Sequence, residues 1–144
     1  MKMISDIREK DIPSVALLFF VITVFAACAQ KINFTTSQVE PAAVGRVKLT
    51  RDNNNNYIVD IKITHLASPE KLSPPKDTYV VWIVTEDNSI KNIGKIKSSS
   101  GFLSQTLKGS LRAVTPAKPK KVFITAETGG DIHHPGIPVV LTTE

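Results

Sequence analysis

The stretch Tyr79-Val80-Val81-Trp82-Ile83-Val84-Thr85 is unbroken in apolar, aromatic and β-branched residues and carries the only tryptophan of the 144-residue chain. It is entered through Ser73-Pro74-Pro75-Lys76 and left through Glu86-Asp87-Asn88-Ser89. A run this short, apolar on both faces and bounded by turn formers, reads as a central buried strand and not as a helix. The structural core is accordingly placed on Tyr79, Trp82, Phe123 and Ile124.

Working outward, Val44–Thr50 alternates, with Val47 and Leu49 on one face and Arg46, Lys48 and Thr50 on the other. Arg51-Asp52-Asn53-Asn54-Asn55-Asn56 follows, a cluster that forms Asx turns and tolerates left-handed backbone. In Tyr57–Leu66 the residues Tyr57, Val59, Ile61 and Ile63 share a face, so the pair predicts a hairpin. Pro69, Pro74 and Pro75 keep Ala67–Asp77 out of helix and central strand and make it a crossing connection. Ile90–Lys97 predicts a strand with a bulge or close approach at Gly94. Ser98–Gly101 predicts a flexible link, Phe102–Leu111 an irregular strand and Pro116–Lys121 a loop. Val122–Glu127 and Ile137–Thr143 predict the last two strands, separated by a turn at Thr128-Gly129-Gly130-Asp131. The sum is an all-β chain, an Ig-like antiparallel β-sandwich of about seven strands preceded by an N-terminal signal helix.

The N-terminus speaks to compartment. Val15–Ala27 is a continuous apolar run preceded by Lys2, Arg8 and Lys10. It is shorter than the roughly 20 residues of a permanent span and has the length and small-residue exit of a signal peptide. Two processing routes remain open: cleavage after Ala27-Cys28-Ala29 to start the chain at Gln30, or lipidation of Cys28 within Phe25-Ala26-Ala27-Cys28. The expected division is a signal over residues 1–29, a flexible lead over 30–43 and the sandwich over 44–144. The expected location is exported, in the periplasm or on the outer surface, soluble or lipid-anchored, with membrane contact only through the signal or an acyl anchor. Cys28 is the only cysteine, which excludes an intramolecular disulfide.

The net charge of +5 raises nucleic acid as a partner. The lysines are read as scattered over polar strand faces and loops, and Lys118-Pro119-Lys120-Lys121 is a short turn without interleaved aromatics, so nucleic acid is not expected.

His133-His134 beside Asp131, with His65 at a distance, offers metal ligands, but adjacent histidines on a turn diverge and no metal is expected. Asp52, Asn54 and Asn56 mimic the start of a calcium loop, yet the loop glycine is missing and Ile63 stands where the closing glutamate belongs. Glu127 lacks a second carboxylate placed by the sequence, and Gly109-Ser110 lacks a neighbouring base. No nucleophile or phosphate-loop motif is found, so neither catalytic residues nor cofactors are expected.

Tyr79-Val80-Val81-Trp82-Ile83-Val84, Ile93-Gly94-Lys95-Ile96, Val122–Gly130 with its Thr125-Ala126-Glu127, and Pro135-Gly136-Ile137-Pro138-Val139-Val140-Leu141 together resemble the extracytoplasmic C-terminal domain of anti-sigma-K-type factors. The likeness runs from about Leu66 to Thr143. It implies a β-sandwich outside the cytoplasmic membrane. The family's sigma-binding region and membrane helix have no counterpart in the short stretch before the apolar run, so sigma sequestration is not carried over. The expected function is a non-enzymatic envelope protein, a binding or structural module for another envelope protein or a cell-wall component. The alternative is an accessory regulator or sensor in envelope stress signalling.

Overall fold

The computed structural model describes residues 29–101, 104–129 and 132–144. The signal helix and Cys28 lie outside the described residues. Among the described residues nine strands form two antiparallel sheets: β1 (Gln30–Asn33), β2 (Val44–Arg51), β3 (Tyr57–Thr64), β4 (Thr78–Thr85), β5 (Ile90–Lys95), β6 (Lys97–Gly101), β7 (Ser104–Thr115), β8 (Pro119–Glu127) and β9 (Val139–Thr142). One sheet has the order β1-β2-β3-β7-β6 and the other β5-β4-β8-β9. With β1 set aside, these are the A-B-E-D and C′-C-F-G orders of an immunoglobulin-like sandwich. The Tyr79–Thr85 stretch is central, as read, flanked by β5 and β8.

Alternation packs the layers. Val47 and Leu49 of β2, Val59, Ile61 and Ile63 of β3, Tyr79, Val81 and Ile83 of β4, and Val122, Ile124 and Ala126 of β8 fill one core between the sheets. Each large aliphatic side chain buried there contributes about 1.5–3 kcal/mol. Tyr79 lies within this core and its hydroxyl donates to the Ala67 carbonyl at 2.9 Å, pinning the connection from β3 to β4. Burial, aided by the nearby Glu40 carboxylate, pushes the phenol well above its ordinary pKa.

The chain closes both open sides of the sandwich. On one side, Phe34 N–H bonds the Gly45 carbonyl and Thr35 N–H the Thr142 carbonyl, so the segment after β1 steps from one sheet to the edge of the other. Residues 30–43, expected to serve partly as a tether, are thus paired and packed over their first part. On the other side, β5 hands over to β6 at Ile96, a buried residue whose N–H donates to the Tyr79 carbonyl at 3.0 Å.

Two further expectations are corrected. Ser98–Gly101 is not a link but part of β6, because the free edge of β7 supplies backbone partners that outweigh the weak strand preference of serine and glycine. Pro119 is not in a loop but is the first residue of β8, the strand position where a missing N–H is tolerated. The bulge expected at Gly94 is present: the β4/β5 register shifts between Val81 and Trp82, and Gly94 takes φ +136°, a conformation that a side chain would strain.

Candidate functional site

The four expected core residues separate onto two faces. Tyr79 and Ile124 point between the sheets, whereas Trp82 and Phe123 are partners in the β4/β8 register on the outer side of the second sheet. Their rings stack with centroids 6.4 Å apart. Trp82 is nonetheless 1% exposed, and Phe123 is half-buried. In antibody-type domains a tryptophan on this strand packs against an inter-sheet disulfide. Here it faces the opposite way, into a second, smaller buried cluster.

That cluster is polar at its centre. Trp82 Nε1–H donates to Thr125 Oγ1 at 2.8 Å, the Thr125 hydroxyl donates to Glu127 Oε1, and the Gly136 N–H donates to the same oxygen at 2.7 Å. Asn92 Nδ2, next to Trp82 in the register, donates to the Ile132 carbonyl at 3.0 Å. Residues 132–138 are therefore fastened over the outer face at both ends. Glu127 is 7% exposed, and its Oε1 holds this segment down. The arrangement positions a loop and gives the lone carboxylate a structural task.

The other sequence candidates resolve into local structure. Asp52 Oδ1 accepts the N–H groups of Asn54 and Asn56, each at 2.8 Å, and Oδ2 accepts Asn56 Nδ2 at 3.0 Å. This is a hairpin Asx turn, and these hydrogen bonds, led by that of the Asn56 side chain, hold the carboxylate below its ordinary pKa. His133 and His134 are exposed, and Asp131 lies outside the described residues. Exposed His65 ends β3 in left-handed backbone. Among the described residues no three His, Cys, Asp or Glu side chains gather closely enough to hold a metal ion. Gly109 and Ser110 lie within β7, Gly109 buried and Ser110 exposed.

What the sequence reading missed is the outer face of the first sheet. Residues paired in an antiparallel ladder project to the same side. One row across the strands is therefore Asn33, Arg46, Lys62, Ser110 and Lys97. The next is Lys31, Lys48, Asp60 and Arg112. The row on the other side holds Val44, Thr64 and Lys108. Lys31, Arg46, Lys48, Lys62, Lys97, Lys108 and Arg112 are all exposed, and the rows contain one acid, half-buried Asp60. The lysines are thus not scattered but assembled. The ion pair found among the described residues, Lys118 with Glu86, belongs elsewhere. A shallow depression of about 240 Å³ lies among Lys31, Arg46, Lys48, Asp60 and Lys62. Its lining is cationic apart from Asp60, a surface suited to clusters of negative charge.

The signal for this face was present as alternation. Arg46 and Lys48 fall on the polar positions of β2, Lys62 on β3, and Lys108 and Arg112 on β7. Only the strand order turns three short patterns into one surface.

Comparison with known proteins adds no relative: no protein family, curated protein or solved structure matches this chain.

Proposed function

We propose that this chain is an exported, non-enzymatic module of the bacterial cell envelope, a β-sandwich that acts by binding through its surface. The observation that carries the reading is the join between sequence and fold. The apolar, signal-like run Val15–Ala27 ends three residues before Gln30, where the first strand of a complete sandwich begins. The fold by itself assigns no function, and the support for binding is the one chemically distinctive outer face, where exposed lysines and arginines of neighbouring strands gather. The test is the intact mass of the mature protein in separated membrane, soluble and cytoplasmic fractions. A mature chain beginning at acylated Cys28 or at Gln30 outside the cytoplasm is expected. A full-length chain confined to the cytoplasm overturns the reading.

A second reading is a regulator or sensor in envelope stress signalling. It is favoured by one feature: Trp82, the Thr125 and Glu127 of one strand, and Gly136, drawn from three pieces of the anti-sigma-K-like pattern, converge in one hydrogen-bonded cluster. Pieces that touch are what a shared domain would require. Co-purification with a membrane anti-sigma factor, lost when Glu127 or Gly136 is substituted, is the expected outcome, and its repeated failure retires this alternative.

A further inference from the structure

We propose that the cationic outer face of the first sheet is a membrane-docking surface, seated on the anionic phospholipid headgroups of the bilayer from which the chain emerges. The proposal rests on the envelope reading above. It is argued from charge complementarity and from where the chain leads.

The seven cations share one side of a five-stranded sheet in which neighbouring strands lie about 4.8 Å apart. A face of this kind meets a plane with most of its charges together, and headgroup attraction acts over a Debye length of about 8 Å at physiological ionic strength. Single cations on flexible loops do not achieve this simultaneous approach. The cations also stand opposite one another: Arg46 faces Lys62 and Lys31 faces Lys48 in the registers. Like charges set directly across a ladder destabilise the fold. An external polyanion removes that penalty, which gives the face a preference for being covered.

This face belongs to the sheet whose edge strand, β1, follows the apolar segment in the sequence. β1 is the edge strand of the same sheet, Lys31 belongs to the cationic rows, and Cys28 precedes Gln30 by two residues. Two extended residues span at most about 7 Å. A chain held at Cys28 by an acyl group, or by an uncleaved Val15–Ala27 segment, therefore keeps β1 within reach of the headgroups. One acyl chain gives only marginal, reversible binding, and a basic patch is the kind of second signal that makes an anchor stable. Polybasic surfaces gain attraction from each Lys or Arg brought near an anionic leaflet.

The test is sedimentation of the full-length chain with vesicles of phosphatidylcholine alone or with one-third phosphatidylglycerol, over a series of salt concentrations. Zwitterionic vesicles measure what the apolar segment contributes, and the excess on anionic vesicles measures the face. The excess is expected to vanish at high salt and to fall about 100-fold in the triple variant Lys48→Gln, Lys62→Gln, Lys108→Gln. Lys71→Gln, Lys91→Gln, Lys121→Gln, which removes equal charge away from the face, is expected to retain most of it. Equal binding to both vesicle types, or equal loss in the two triple variants, overturns the proposal. So does tighter binding, at equal phosphate concentration, to duplex DNA or to a soluble anionic wall polymer, because the face would then serve another polyanion. These outcomes are independent of the mass and fractionation experiment, so failure of docking and failure of export are told apart.

Discussion

The Glu127 carboxylate occupies the space that a side chain at position 136 would need. A Cβ built on Gly136 would lie 2.5 Å from Glu127 Oε2, while the Gly136 N–H donates to Oε1 at 2.7 Å. The two residues are nine apart in sequence and fit only as a pair. Gly136→Ala is therefore expected to destabilise the protein by about 1–3 kcal/mol through overpacking. Much of that cost should vanish in a Glu127→Ala background, giving a coupling of about 1–2 kcal/mol in a double-mutant cycle measured by urea unfolding. Trp82, the sole tryptophan, lies in the same cluster, so its fluorescence should move to longer wavelength in Gly136→Ala if the 132–138 segment lifts. Additive effects of the two substitutions would mean that the contact carries no energy.

A pair of glycines makes room for the chain to change sheets. Gly45 and Gly109 stand on either side of Ile63 in the registers of β2, β3 and β7. A Cβ at Gly45 would meet Phe34 and Ile63 at 2.9 Å, and one at Gly109 would meet Ile96 at 2.8 Å and Leu66 at 3.0 Å. Phe34 and Ile96 stand beside the two crossings that close the sandwich, and Leu66 lies just beyond β3. Gly45→Ala and Gly109→Ala are each expected to cost about 1–3 kcal/mol. Ser110→Ala, one residue along β7 and facing water, should stay within about 0.5 kcal/mol. Comparable effects at positions 109 and 110, read from urea midpoints, would contradict this account.

Much of the fold was legible because alternation and turn chemistry agree in most segments. Tyr57–Thr64 buries Val59, Ile61 and Ile63 together, and the Asp52 turn closes the hairpin before it. Two kinds of feature were not legible. Ser98–Gly101 has no hydrophobic pattern, and its strand conformation comes from the edge of β7. The position of Trp82 was hidden for the opposite reason: with both faces of β4 apolar, periodicity cannot say which looks inward. The Asp52 and His133 candidates, weighed and set aside in the sequence, drew on residue types that turns and loops use for their own hydrogen bonds. The cationic face required the register across five strands, which no single segment contains.

The turn after β4 is expected to set part of the acid sensitivity. Hydrogen bonds from the Thr85 and Ser89 hydroxyls hold the Asp87 carboxyl at a pKa of about 2, against an ordinary value of 3.8. A depressed folded value means that the stabilisation is complete above about pH 4 and is lost as pH falls through 2. Asp52 is shifted in the same direction and loses its contribution as the medium acidifies. Urea midpoints measured from pH 6 to pH 2 should fall less steeply below pH 4 for Asp87→Asn than for the parent chain. Parallel curves would show that the turn gains nothing from the charge.

The cationic rows carry a cost in the free protein that can be measured without any membrane. Lys62 lies directly opposite Arg46 in the β2/β3 ladder, and both are exposed. Replacing one like charge by its opposite turns repulsion into attraction across the strands, worth about 0.2–1 kcal/mol. Lys62→Glu is therefore expected to raise the urea midpoint at low ionic strength, a gain that shrinks as added salt screens both terms. The same substitution should weaken binding to anionic vesicles. Stability and binding moving in opposite directions is the behaviour of charges kept for a partner at the expense of the fold. A Lys62→Glu chain that is both less stable and equally bound to vesicles would mean that these cations neither repel one another nor meet an anionic surface.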